Sequence, residues 1–328
     1  MKKILVAACL GLTVLSARAQ QKFADLGLFR LENGQSVQHC RVGYRTFGHL
    51  NTDRSNAVLI PTWFGGTSEQ KSSLANPGGL ADSTRFFVIV VDALGNGVSS
   101  SPSNSPAQAN GAFPVISVRD MVNSQYELVT RHLKLSHLYA VMGISMGGMQ
   151  SFQWAVSYPT FMDKVVPIIG TPRQSVYDKL FWNAQLNTLE RGNYSAEAMK
   201  TAGALHELNL WTPAAHVDKR KTDEYAGYIT DTEKRYAEIQ PYDWACQLRA
   251  MLAQDVAPGE TLEAAAKKVK AKMMIVVATQ DHMVNPAAAT QFANAIGAPL
   301  VELTGPCGHM ATSCESAKLA AFVRSFLL

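Results

Sequence analysis

The pentapeptide Gly143-Ile144-Ser145-Met146-Gly147 follows a short apolar run, Leu138-Tyr139-Ala140-Val141-Met142, and opens a helical stretch that runs through Trp154 and stops before Pro159. This arrangement restricts the fold more than any other feature of the chain. A strand that turns within one residue into a helix is a βα unit, and its strand belongs in a sheet covered by helices. The flanking glycines have a steric role. The serine backbone is strained in such a turn, and side chains at 143 or 147 would collide with neighbouring backbone. The turn then projects Ser145 Oγ clear of the sheet edge, the arrangement of a nucleophile elbow. A structural Gly-Ser turn is the alternative that the five residues alone allow.

The rest of the chain supplies a sheet for that unit. β-type runs occur at Gly27 to Leu31, Arg41 to Phe47, Ala57 to Pro61 and Phe86 to Asp92, separated by Gly, Asn, Asp and Ser turns. Phe86 to Val91 is apolar on both faces, as a central parallel strand is. A helix is predicted over Val118 to Leu133, with Met121, Leu128, Val129 and His132 near one face and Arg119, Asp120 and Glu127 toward the other. After a strand at Val165 to Ile169, strand-like runs vanish from Arg173 to Leu262. That stretch holds three of the five tryptophans and six of the ten tyrosines among charged residues, and reads as a lid of amphipathic helices. The core resumes with strands at Met273 to Thr279 and Leu300 to Leu303 and helices at Ala287 to Ala295 and Ser316 to Leu327. The fold class expected is α/β: a mostly parallel central sheet with helices on both faces, a core of residues 20–172 and 263–328, and a helical insertion over 173–262. With 47% hydrophobic residues, 328 residues can bury such a core.

The N-terminus reads as a signal peptide over residues 1–19. Lys2 and Lys3 precede an apolar run from Ile4 to Leu15, and Ala17-Arg18-Ala19 is a small-x-small cleavage site. A lipid attached at Cys9 is disfavoured, because too little apolar sequence precedes it. The expected location is periplasmic or secreted, with no stable membrane insertion after cleavage, since no later stretch holds eighteen consecutive apolar residues. Losing Lys2, Lys3 and Arg18 leaves 27 basic against 26 acidic residues. Such a near-neutral chain without a basic cluster lacks the footprint of a nucleic-acid binder. Four cysteines remain, Cys40, Cys246, Cys307 and Cys314, and they allow three pairings. The short loop favours Cys307 with Cys314; free buried thiols are the alternative.

A serine hydroxyl is a weak nucleophile unless a base takes its proton. Of eight histidines, His309 follows the last strand in Gly305-Pro306-Cys307-Gly308-His309, where it can reach over the sheet edge. His39, His49, His132, His137, His206 and His216 read as ordinary surface or core residues. The acid is expected after the preceding strand. Asp281 fits, Asp255 is the alternative, and His282 reads as incidental. Two donors should face the oxyanion: the Met146 N–H and one from Thr62-Trp63-Phe64-Gly65-Gly66-Thr67, with Phe64 favoured and Trp63 the alternative. Trp63, Gly65, Trp182 and Trp244 are candidates for the substrate pocket, and core packing is the competing reading for each. Gly95-Asn96-Gly97-Val98-Ser99 lacks the following helix that a dinucleotide loop needs. No zinc-ligand spacing is present, so neither a metal nor a cofactor is expected.

The order Ser145, Asp281, His309 is that of α/β-hydrolases. The chain resembles their homoserine acetyltransferase branch over essentially its whole mature length. Tyr44-Arg45-Thr46-Phe47-Gly48 with His49-Leu50-Asn51, Gly143 to Gln150, and Tyr242-Asp243-Trp244 at the lid exit carry the resemblance. It implies the same fold, with Asp281 and His309 as acid and base. Two positions depart from that branch: Thr62 to Gly66 replaces a His-Ala-Leu-Thr-Gly-like segment, and Met310 stands where an Asp usually follows the histidine. The expected function is an exported serine hydrolase acting on a small-molecule ester, less readily an amide. The alternatives are an O-acyltransferase using the same triad and a non-catalytic binding protein on this scaffold. A homodimer is left open as a protein partner.

Overall fold

The computed structural model describes residues 19–328. The expected signal peptide, apart from Ala19, lies outside the described residues. Among the described residues, nine strands form one sheet: β1 (Lys22–Arg30), β2 (Ser36–Phe47), β3 (Ala57–Pro61), β4 (Phe87–Val91), β5 (Leu138–Ile144), β6 (Met162–Ile168), β7 (Lys272–Met273), β8 (Ile275–Ala278) and β9 (Leu300–Leu303). Their spatial order is β1-β2-β4-β3-β5-β6-β8-β9, with β7 beside β6. β1 with β2 and β2 with β4 pair antiparallel; the remaining neighbours are parallel. Alternate side chains feed two apolar layers. Leu59, Ile89 and Val141 enter one, and Val58, Ile60, Val88, Val90 and Ala140 the other. Burial on both faces explains why β3 and β8 are continuous apolar runs.

α1 (Ser72–Ala75), α2 (Val118–Glu127) and α3 (Met146–Ser157) precede β6, and the insertion after β6 holds α4 (Val176–Arg191), α5 (Ala196–Leu210), α6 (Pro213–Lys219), α7 (Tyr225–Ala237) and α8 (Pro241–Leu252). α9 (Leu262–Ala266), α10 (Ala287–Ile296), α11 (Ala311–Cys314) and α12 (Ser316–Leu327) complete the chain. Among the described residues, no helix is long and apolar enough to cross a membrane. The ends of the helical insertion are pinned together. Arg173 Nε and Nη2 lie 2.8 and 2.9 Å from the two oxygens of Asp255, a forked, charge-assisted contact. Asp255, the alternative acid, is therefore engaged at the base of the insertion and away from His309.

α2 departs from the periodicity expected of it. Asp120 does not face solvent. It forms a capping box with Ser117 and accepts the Glu32 N–H at 2.9 Å, which together bury it. After Glu127 the chain widens into a π-helical turn, Leu128–His132, closed by the Leu133 N–H on the Leu128 carbonyl. The extra residue in that turn breaks the 3.6-residue register, so His132 is exposed rather than aligned with Val129.

Candidate active site

β5 ends at Ile144 and α3 begins at Met146, so Ser145 alone makes the turn. Its backbone is at φ +59° and ψ −121°, a conformation that costs a residue with a side chain roughly 1–3 kcal/mol. Neighbouring backbone holds it there: the Ser145 N–H donates to the Ile168 carbonyl at 2.9 Å, and its carbonyl accepts from the Met149 N–H at 2.9 Å. A methyl group at position 143 would meet the Gly147 carbonyl carbon at 2.4 Å, and one at 147 would meet the Pro61 carbonyl oxygen at 2.6 Å. Only glycine at both positions lets β3, β5 and α3 approach this closely.

The structure brings Ser145, His309 and Asp281 together. His309 sits in a single 3₁₀ turn, Gly308–Met310, beyond β9, and Asp281 in the turn beyond β8. His309 Nε2 is 2.9 Å from Ser145 Oγ, and Nδ1 is 2.7 Å from Asp281 Oδ2. The other oxygen of Asp281 accepts the N–H groups of Met283 and Val284 at 2.8 and 2.9 Å. A carboxylate only accepts, so Nδ1 carries the proton and Nε2 presents its lone pair to Ser145. All three side chains are buried. Cys307 and Cys314 are joined by a disulfide that encloses the His309 turn, and Thr212 of the insertion donates its hydroxyl to the Pro306 carbonyl. Cys40 and Cys246 are free and buried, and burial pushes both thiols up to about 12, which makes them unreactive.

The loop after β3 is held by its own backbone. The Thr62 N–H donates to the Val91 carbonyl at 3.0 Å, Gly65 N–H to Gln247 Oε1 at 2.8 Å, Gly66 N–H to the Trp63 carbonyl at 3.0 Å and Ser68 N–H to Asp92 Oδ1 at 2.7 Å. The N–H groups of Trp63 and Phe64 stay outside this network among the described residues, and Met146 N–H is one of the unpaired donors at the start of α3. Two glutamines that are not among the candidate site residues position the loop. Gln247 on α8 links it to the Leu94 carbonyl at 3.1 Å, and Gln150 on α3 donates to the Thr62 carbonyl at 3.0 Å. The Gly95-to-Ser99 stretch supports it from beneath, with Asn96 donating to the Gly66 carbonyl at 2.9 Å.

Ser145 and His309 open onto a cavity of about 450 Å³ between the sheet edge and the helical insertion. Trp63, Phe64 and Gly65 line it from the loop, and Trp182, His206, Tyr236 and Trp244 from the insertion. The Phe64 ring packs 4.2 Å from that of Trp244 and 5.9 Å from that of Trp182. His206, read from the sequence as an ordinary histidine, stands in this wall. Only the fold could reveal that, because α5 carries no motif. Met310, Thr312 and Ser313 complete the side near His309, and no carboxylate is among the lining residues. Among the described residues, no group of three or more His, Cys, Asp or Glu side chains could hold a metal ion.

Comparison with known proteins agrees with this architecture. An ethyl acetate hydrolase of Pseudomonas veronii is 34% identical over 196 residues, which cover 57% of this chain and 56% of that protein. The match thus spans little more than half of that relative. A homoserine O-acetyltransferase of Geotalea daltonii is 29% identical over 350 residues, covering 91% of this chain and 94% of its own length. The resemblance to that branch therefore holds over nine tenths of the chain. The solved structure of an acetylester hydrolase from Corynebacterium glutamicum superposes with a TM-score of 0.87 at 24% identity, covering 94% of this chain and 96% of its own, a likeness of fold. Residues 57–312, from the start of β3 to the turn beyond His309, match the family described as alpha/beta hydrolase fold, and the chain belongs to that family.

Proposed function

We propose that the protein is an exported serine hydrolase that cleaves small esters, and amides less readily, through an acyl-enzyme on Ser145. The observation that carries this reading is the hydrogen-bonded series Ser145, His309, Asp281 facing a cavity with Trp63, Phe64, Trp182, Tyr236 and Trp244 in its wall. In the proposed reaction, His309 Nε2 takes the Oγ proton as Oγ attacks the acyl carbon. The leaving alcohol then collects that proton. Water attacks the acyl-enzyme in the same way, His309 acting again as base, which releases the acid and restores Ser145. Asp281 keeps the proton on Nδ1 and stabilises the imidazolium. The N–H groups of Phe64 and Met146 are assigned to the oxyanion, a role worth roughly 10²–10³ in turnover for each donor.

Water is preferred to homoserine as acceptor on electrostatic grounds. An amino-acid acceptor would bring an ammonium group into a cavity without a lining carboxylate, and Met310 occupies the place next to the base. An unpaired charge in such surroundings costs several kcal/mol. The acyltransferase reading is favoured by the near full-length relatives that carry that name. Partitioning decides between them. With an acetyl ester as donor, acetate should be the main product even with homoserine present; efficient transfer from acetyl-CoA to homoserine would overturn the assignment.

Export is the second part of the reading. It is supported by the charged, apolar and small-residue pattern of residues 1–19, and the Cys307–Cys314 disulfide suits an oxidising compartment. Protein recovered from outside the cytoplasm should begin at Gln20. Recovery of the full chain from the cytoplasm alone would count against export.

A further inference from the structure

His206 is a buried polar side chain of the cavity wall that the proposed reaction leaves unused. It is 8% exposed, and neither ring nitrogen meets a hydrogen-bond partner among the described residues; Nδ1 is fully enclosed. Its ring lies 5.0 Å from that of Trp244, 5.6 Å from Phe64, 6.0 Å from Trp182 and 6.2 Å from Tyr236. The indole nitrogens of Trp182 and Trp244 are likewise enclosed without partners. Buried polar groups are nearly always paired, and an exception beside a reaction centre calls for a reason. A bound molecule with its own polar atom is such a reason.

The chemistry of that atom follows from the surroundings. Burial, with the neighbouring His309 as a further cause, holds the His206 pKa down to about 3, so the imidazole stays neutral. A neutral imidazole offers one N–H and one lone pair. It cannot hold an anion by charge. Arg235, the permanently charged residue on the wall, has a 59% exposed side chain and is directed to Glu207 at 3.5 Å and Thr232 at 3.1 Å.

We infer that His206 is a specificity-determining residue whose imidazole hydrogen-bonds a neutral oxygen, a hydroxyl or a second carbonyl, in the substrate part lying against the aromatic wall. This rests on the ester-hydrolase reading. A hydrocarbon group in the same place would seal His206 without a partner. A site built to bond a substrate oxygen rejects the analogue that lacks it.

The test uses esters matched in heavy-atom count, one carrying a hydroxyl or keto oxygen and one a methylene or methyl, with the change placed first in the acyl half and then in the alcohol half. The quantity read is the ratio of kcat/KM within each pair, corrected for alkaline hydrolysis. In the wild-type protein one series should favour the oxygen-bearing ester by roughly 10- to 100-fold. His206→Phe should bring that ratio to about unity, and His206→Gln, which keeps a donor and an acceptor, should restore most of it. Because the ratio is taken within each protein, a general loss of folding or turnover divides out. A wild-type ratio near unity in both series would overturn the inference, even if no variant folds. So would a preference that survives in His206→Phe, or one that His206→Gln fails to restore. Failure of the underlying reading looks different: the wild type would hydrolyse these esters no faster than Ser145→Ala.

Discussion

Ser145→Ala is expected to lower turnover of a short-chain ester by about a million-fold, the loss seen when the nucleophile is removed from a triad that acts as a unit. The substitution deletes one atom, Oγ, whose hydrogen bond is to His309 Nε2. The backbone bonds to Ile168 and Met149 that hold the strained turn are untouched. Stability should therefore change little. The residue left behind would still present the oxyanion donors and the cavity, so some acceleration over water should persist, about 10³- to 10⁴-fold. Turnover can be followed by product release, with a thermal melt as the control for folding. Hydrolysis at the wild-type rate would remove Ser145 from the mechanism. A wild type that binds esters without turning them over, and as tightly as the alanine variant, would point instead to a binding protein.

Much of this architecture was legible because short-range sequence signals and long-range packing agree. β3 and β9 have the expected limits: β3 is a wholly buried apolar run, and β9 is a short alternating run set between Pro299 and Gly305-Pro306. The turn at Ser145 was readable because two glycines answer two specific collisions, with Gly147 and with Pro61. Asp281 and His309 could be located by their places after β8 and β9, where a parallel sheet delivers its loops to one edge. What escaped the sequence depends on partners far along the chain that no motif marks. Asp120 falls on the polar side of the expected helix, and the Glu32 N–H that it accepts from 88 positions back leaves no trace in periodicity. Gln247 reaches 182 positions back to hold Gly65, yet within α8 it resembles any helical glutamine. His206 lacks a motif because its setting is built by rings from four separate segments, carrying Phe64, Trp182, Tyr236 and Trp244. The aromatic richness of the insertion was visible; which side chain would be enclosed by it was not.

The distribution of bonds around Asp281 gives the second large effect. Oδ1 already accepts two backbone N–H groups, from Met283 and Val284, while Oδ2 alone faces His309. In Asp281→Asn the amide oxygen must take the Oδ1 place, because an NH₂ group there would oppose two donors. The NH₂ group is then left facing His309 Nδ1. That nitrogen can accept only if it is unprotonated, so the imidazole proton moves to Nε2, and Nε2 can no longer take a proton from Ser145. The variant keeps its shape and loses its tautomer. A loss of about 10⁴-fold in turnover is expected at neutral pH, with little change in KM, since the cavity wall is not altered. Asp281→Ala should also be slow, but for a different reason, because it leaves His309 without an orienting partner and two backbone donors without an acceptor. It should lower thermal stability as well, by about 1–3 kcal/mol for the buried groups left unpaired. An asparagine variant within tenfold of wild type would show that the orientation of His309 is secured elsewhere, and Asp281 would then be a support for the Met283 turn and nothing more.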